Sequence, residues 1–139
     1  MEYRIYQVSF TDAEYDHIDK VGRYNVPKEV FRLDLPISDN ISELAKEGLD
    51  LGYYKHVSTI NTPSSLTLDY EKDLDDNFLL SQELENVFKI GNRGMLDGDV
   101  EKYITRYLPM HSISVGDIVE THNGSHKYVV ASCGFEKIN

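Results

Sequence analysis

The sequence predicts an α+β fold in which two or three helices pack on a mainly antiparallel sheet with a C-terminal β-hairpin. Helical spacing of apolar residues recurs in separate segments, and stretches rich in Tyr, Val, Thr and Ile lie between them. Near the C-terminus, period-two alternation surrounds an Asn-Gly pair, the strongest short hairpin signal. The chain has 139 residues and no linker-like segment, so we expect residues 1–139 to form a single domain.

The N-terminal segment predicts a strand followed by a helix. The strand is indicated by the apolar residues Tyr3, Ile5, Val8 and Phe10, while Tyr6 breaks the alternation and indicates burial on both faces or a bulge. A helix is predicted over residues 12–21, because Thr11 and Glu14 form a capping-box pair and Gly22 occupies a C-cap position.

The middle of the chain predicts further helices and one strand. Residues 27–35 fit either a short helix beginning at a proline or a strand. Ser38 or Asp39 is expected to cap a helix that ends near Gly48, and a strand is predicted over residues 53–60.

The C-terminal half predicts a helix and then β-structure. Ser81 is expected to cap a helix that ends at Gly91, and residues 99–107 form a weaker helix candidate. A hairpin turning at Asn123 and Gly124 is predicted within residues 110–138, with a short last strand at its end.

The charge balance restricts the class of partner. There are 14 Lys and Arg against 24 Asp and Glu, a formal net charge of −10 that disfavours direct nucleic-acid binding and anionic membranes. A protein with a basic surface is the expected partner. The densest acidic patch, which is either a docking edge or a solvated face, contains Asp69, Glu71, Asp73, Asp75 and Asp76.

The same composition predicts a cytoplasmic location. No apolar run approaches the roughly 20 residues of a membrane span, and the N-terminus lacks the features of a signal peptide. The lone cysteine, Cys133, excludes an internal disulfide and fits a reducing compartment.

A resemblance is carried by the C-terminal segment. This segment is similar to the signature of YodL-like proteins, which are small proteins of bacteria, plasmids and phages. The matching residues are His111-Ser112-Ile113-Ser114-Val115-Gly116-Asp117 and, after a hairpin, Gly134-Phe135. The resemblance implies a phage or mobile-element origin. Small proteins of that origin often bind a host protein, so we expect a non-enzymatic accessory protein of the host cytoplasm, with anti-defence or host takeover as its role.

The signature residues have a physical interpretation. Gly116 is expected to adopt a φ that other residues avoid, and the Asp117 carboxylate to close a turn by accepting backbone N–H bonds. Ser112 and Ser114 alternate with apolar residues, so they form a predicted exposed strand face and a second candidate partner surface. Phe135 is expected in the core.

The sequence does not show the residue patterns of a metal site, a nucleophilic cysteine or a phosphate-binding loop. We therefore predict no catalytic residue, metal or cofactor. His111, His122 and His126 do not have the spacing of a tetrahedral metal site, and Cys133 has no neighbour that would activate it. Two further candidates are predicted to be a turn and a solvated loop: the glycine-rich residues 91–94, and the carboxylates Asp97 and Asp99.

Two alternatives to a host-binding protein stay open. One is a small enzyme or nucleotide-sequestering protein whose pocket combines residues distant in sequence. The other is a nucleic-acid-binding barrel, which the net charge disfavours.

Overall fold

Six antiparallel strands form one sheet in the computed structural model, which describes residues 2–62, 77–92, 100–121, 124 and 126–138. The strands are β1 (Glu2–Val8), β2 (Tyr54–Asn61), β3 (Ile104–Arg106), β4 (Ile118–Thr121), β5 (Lys127–Ala131) and β6 (Gly134–Lys137). Their order in the sheet is β3-β2-β1-β4-β5-β6, and every neighbouring pair is antiparallel.

Four α-helices are described around the sheet, so the α+β prediction is confirmed with more helices than expected. They are α1 (Asp12–Val21), α2 (Pro27–Asp34), α3 (Ile41–Asp50) and α4 (Asn77–Gly91). Short 3₁₀ helices occupy Arg23–Asn25, Leu35–Ile37 and Val100–Tyr103.

Helix α1 has the predicted bounds and the predicted cap. The Thr11 side chain accepts a hydrogen bond from the Glu14 backbone N–H, and the Glu14 carboxylate accepts one from the Thr11 N–H. Gly22 ends the helix with a φ of 90°, which a side chain would disfavour. Local sequence signals therefore suffice to define α1.

The ambiguous segment after α1 is helical. Pro27 takes the first helical position, where its missing N–H has no intrahelical partner to lose. The four-residue spacing of Phe31 and Leu35 directs both side chains toward the sheet, and both are buried.

Helix α3 differs from its prediction at both ends. Its N-cap is Asn40, and Ser38 lies two residues before that position, where its hydroxyl accepts a hydrogen bond from the Asn40 N–H. The helix continues past Gly48 to Asp50. Gly48 serves close packing instead of termination, because a Cβ there would overlap the Phe31 ring.

Two predictions about the second half of the chain are wrong. Helix α4 begins at Asn77, and Ser81 lies within it, since serine is tolerated inside a helix and no breaker separates the two residues. The helix proposed for residues 99–107 is instead a 3₁₀ turn and strand β3, because the β-branched and aromatic side chains there favour pairing with β2.

Helices cover both faces of the sheet and define two cores. The first core joins α4 to one face, and its buried members include Tyr3, Ile5, Val57, Ile60, Leu84, Val87, Ile90 and Val119. The second core joins α2 and α3 to the opposite face through Val8, Phe31, Leu35, Ile41, Ala45, Tyr54, Ile118 and Val129. Central strand β1 is therefore buried on both sides, one of the two possibilities raised by its sequence pattern.

The irregularity predicted around Tyr6 is a register shift between β1 and β2. Ile5 pairs with Ser58 and Tyr6 pairs with His56, which leaves Val57 as an extra residue in β2. Val57 is fully buried in the first core.

The predicted C-terminal hairpin is present, with shorter strands than expected. Strands β4 and β5 pair in antiparallel fashion, and β5 continues into β6 through a turn at Gly134, whose φ is 92°. Phe135 is partly buried against the first core. Cys133 is exposed in this turn.

Among the described residues, no helix is long and apolar enough to cross a membrane.

Candidate functional site

The loop of residues 111–117 carries the family-like signature and is fixed to three strands. Gly116 donates its N–H to the Val130 carbonyl at 2.8 Å, and Val130 donates to the Asp117 carbonyl at 2.8 Å. The Tyr54 hydroxyl donates to the Gly116 carbonyl at 2.6 Å. The segment was predicted to be a strand with exposed serines, but it is a loop whose backbone bonds go to these partners.

Gly116 has the backbone conformation that its sequence context predicted. Its φ is 100°, a region that side chains with a Cβ rarely adopt. A Cβ at this position would also lie 2.5 Å from Cδ2 of Leu35, so Gly116 allows the loop to approach the end of α2. Both constraints require glycine.

The Asp117 carboxylate closes the loop, as predicted. Its Oδ2 accepts the backbone N–H of Ser114 at 2.9 Å and the side-chain amide of Gln7 at 2.9 Å. Only 5% of Asp117 is exposed. A buried carboxylate is stable here because backbone and amide donors replace part of its hydration.

Gln7 ties the loop to β1 and was not identified from the sequence. Its Oε1 accepts the His111 N–H at 3.3 Å, and its Nε2 donates to the His111 carbonyl at 3.0 Å. Gln7 is 1% exposed and lies on the strand face of Tyr3 and Ile5. A polar residue at an inward position of an otherwise apolar alternation was the available signal.

His111 faces Asp117 at the edge of the loop. Its Nδ1 lies 3.9 Å from Asp117 Oδ2, and its side chain is 57% exposed. When the imidazole is protonated, the two groups form an ion pair. The exposed position leaves the ring accessible to a ligand or partner.

Burial raises the pKa of Asp117 to about 6, although the charge of His111 and the bonds from Ser114 and Gln7 act in the opposite direction. Burial also raises the pKa of the Tyr54 phenol, and the nearby Asp117 charge adds to that effect. Both shifts have the same origin, since charge is costly in this poorly hydrated junction.

A cleft of about 380 Å³ opens beside the loop. Its lining combines an apolar set with polar groups: Val8, Leu35, Pro36 and Val115 with Arg32, His111, Ser114 and Asp117. The Arg32 guanidinium makes two hydrogen bonds to Glu29, which is itself buried. An apolar cavity with a few convergent polar groups is the usual form of a small binding site.

The other predicted site residues lie apart from this cleft or outside the described residues. Ser112 and Ser114 are exposed on the loop, and Ser114 lines the cleft. Gly134, Phe135 and Cys133 lie at the β5–β6 turn. The described residues do not include the acidic patch of residues 69–76, His122, Asp97 or Asp99. Where the chain is described, no group of three or more His, Cys, Asp or Glu is placed to hold a metal ion.

A second polar cluster lies on the sheet around Glu120, and its charges are paired. Glu120 accepts from Arg4 at 2.8 Å and lies 3.2 Å from the Lys127 ammonium. Burial acts to raise the pKa of Glu120, but the hydrogen bonds from Arg4 and Lys127 leave it below its usual range. This cluster is consistent with a structural role, whereas the Asp117 carboxyl faces a cleft.

We predict that Gly116→Ala destabilises the protein by about 2–4 kcal/mol, because strain at positive φ adds to overlap with Leu35. The matched control is Gly134→Ala, where φ is 92° but a Cβ would contact nothing within 4 Å. The control should cost about 1 kcal/mol, from strain alone. Urea denaturation measures the free energy of unfolding of both variants. Equal losses of stability would show that the approach of the loop to Leu35 is not tight.

We predict that Asp117→Asn removes a pH dependence of stability. Because the folded pKa of about 6 exceeds the ordinary 3.8, the folded state binds the proton more tightly, and stability is lost as pH rises through this window. At about 1.4 kcal/mol for each pKa unit, the loss approaches about 3 kcal/mol at neutral pH. The variant should therefore gain stability relative to the wild type between about pH 4 and pH 7.

Chemical denaturation at several pH values measures this difference. Asp39→Asn, at an exposed position, is the control and should give a flat difference. A flat or reversed difference for Asp117→Asn would show that the folded state does not raise the pKa of this carboxyl.

Comparison of the chain with family models, curated proteins and solved structures found no match.

Proposed function

We propose that this protein is a non-enzymatic accessory protein of a phage or mobile element that binds a host protein with a basic surface in the host cytoplasm. Helix α1 carries the proposal. It has no buried residue, although it is rigidly capped and joined to the body of the protein. A helix without a buried face is available to a partner.

The exposed face of α1 is acidic. Asp12, Asp16 and Asp19 follow one side of the helix at i, i+4 and i+7, and all three are exposed. We call these residues the α1 acidic stripe. Like charges at this spacing destabilise an isolated helix by a few tenths of a kcal/mol per pair. A basic partner would relieve this repulsion, so the stripe favours a positively charged surface.

Aromatic side chains accompany the stripe. Tyr15 is 54% exposed on α1, and Tyr24 is 78% exposed in the following 3₁₀ helix. Exposed tyrosines provide apolar area together with a hydroxyl, and they are frequent anchors of protein interfaces. The stripe would guide encounter, while the tyrosines would hold the complex.

Helix α1 is held in place before any partner binds. Lys28 on α2 forms an ion pair with Glu14 at 3.0 Å, donates to the Ser9 carbonyl at 2.6 Å and lies 4.7 Å from the centre of the Phe10 ring. The Phe10 ring in turn packs against Tyr15, with centroids 5.4 Å apart. A preorganised surface loses less conformational entropy on binding.

The resemblance to YodL-like proteins supports the phage or mobile-element part of the proposal, and anti-defence or host takeover is the role it favours. The net charge of −10 supports a protein partner over nucleic acid. The acidic residues Asp69, Glu71, Asp73, Asp75 and Asp76 remain a predicted second docking edge.

A second candidate function is favoured by the cleft. A cavity of about 380 Å³ next to a buried carboxyl could belong to a small enzyme or a protein that sequesters a small molecule. The described lining includes Ser114, His111 and Asp117, which are residue types of a nucleophile, a base and an orienting group. They are not arranged as such a set, because the His111 ring contacts Gln7 and the Ser112 carbonyl, and Asp117 accepts from the Ser114 backbone N–H.

We predict that replacing Asp12, Asp16 and Asp19 by Asn slows association with the host partner about tenfold at low salt and flattens the salt dependence. The partner is first identified by affinity purification from the producing cell with mass spectrometry. Association and dissociation rates are then measured with the purified pair at low and moderate salt.

The matched control replaces Asp39, Glu43 and Glu47 by amides, an equal change of charge at exposed positions around α3. A further variant, with Asp73, Asp75 and Asp76 changed to Asn, tests the predicted second edge. Equal rates for the wild type and the α1 variant would contradict the proposed role of α1, and so would equal losses in the α1 and α3 variants.

A further inference from the structure

We propose that the cleft beside Asp117 binds one basic side chain of the host partner, an ammonium or guanidinium group on an aliphatic stem, with the Asp117 carboxylate as its counter-charge. The inference rests on the proposed function and assigns a pocket to it.

Among the described residues around the cleft, one carboxylate has no permanent counter-ion. Arg32 is neutralised by its two hydrogen bonds to Glu29. Asp117 receives neutral donors from Gln7 and Ser114, and its remaining charged neighbour is His111 at 3.9 Å. With a neutral imidazole, these groups have a net charge of −1 (Glu29, Arg32 and Asp117) and favour a cation.

A bound cation would compensate the cost of burying Asp117. Burial is the largest cause acting on this carboxyl, and it disfavours the charged form. A charge-assisted hydrogen bond from an ammonium or guanidinium group replaces lost hydration and is about twice as strong as a neutral bond. The hydrogen bonds from Gln7 and Ser114 both end on Oδ2, so we assign Oδ1 as the atom that accepts the ligand.

The walls of the cleft suit the stem of a Lys or Arg side chain. Val8, Leu35, Pro36 and Val115 line it with aliphatic groups. Long basic side chains bury their methylene stems against such surfaces while the head finds a polar partner. A compact inorganic cation would leave the apolar walls unused.

Helix α2 connects helix α1 to the cleft. Arg32 of α2 lines the cleft, and Lys28, four residues earlier on the same helix, forms an ion pair with Glu14 of α1 at 3.0 Å. A basic segment lying along α1 could therefore place one side chain in the cleft.

Binding should strengthen with pH, because the ligand needs an ionised Asp117. Protonation of His111 would add a like charge beside the ligand, and the Glu29–Arg32 pair and the Tyr54 phenol are the other titratable groups near the carboxyl. For a carboxyl that titrates near pH 6, the affinity should rise about tenfold between about pH 5 and pH 7.5.

The test uses n-butylguanidinium as the probe and n-butylurea as its neutral isostere, each titrated into the full-length protein. Binding is followed through the backbone amide signals of Ser114 and Val115 in two-dimensional NMR spectra. The dissociation constant of each probe is obtained from the shifts of these signals. We expect the constant for n-butylguanidinium to be at least about tenfold lower than that for n-butylurea, and lower at the higher pH than at the lower pH. Equal binding of the two probes, or none, would overturn the proposal without any variant.

Variants then locate the counter-charge. Asp117→Asn should weaken the binding of n-butylguanidinium at least about tenfold. The control Asp50→Asn, at an exposed position at the end of α3, should not. Unchanged binding to Asp117→Asn overturns the assignment. The proposed function is tested by a separate experiment. The α1 variant is measured with the host partner and without the probe, whereas the probe is measured without the partner.

Discussion

The buried carboxylate of Asp117 is the interaction on which the signature loop depends. By accepting from Ser114 and Gln7, it closes the loop on itself and fastens it to the central strand β1. The neighbouring residue Gly116 packs against Leu35, and its carbonyl accepts a hydrogen bond from the Tyr54 hydroxyl. The loop, α2 and β2 therefore meet around the Asp117 charge.

This arrangement has a thermodynamic cost. A carboxylate this deeply buried is less stable in its charged form than an exposed one, and its neutral hydrogen-bond donors offset only part of the difference. The Glu120 cluster shows the other solution, in which Arg4 and Lys127 supply full counter-charges. The contrast between the paired carboxylate of Glu120 and the incompletely paired carboxylate of Asp117 is the reason to propose a binding role at Asp117. Strained or costly groups that persist in a fold are frequent at functional sites.

Local signals predicted much of the fold, and long-range contacts account for what they missed. The Thr11–Glu14 capping box and the glycine at Gly116 specify their own backbone, so both predictions agree with the structure. Period-two alternation suggested a strand around Ser112 and Ser114, but these residues form a loop because their neighbours bond to Gln7 and Val130 from distant segments. Gln7 is marked in the sequence only as a polar residue at an inward strand position, and Arg32 is not marked at all. The packing of β1 and α2 against the loop brings both residues to the site.

The account is tested most directly by the ionisation of Asp117 itself. Carboxyl ¹³C NMR of the selectively labelled wild-type protein reports the protonation of this group as pH changes. We predict a transition near pH 6, well above the ordinary value of an aspartate. A transition near pH 4 would show that the carboxyl is hydrated or fully paired, and would contradict the incompletely paired charge on which the proposed binding in the cleft rests.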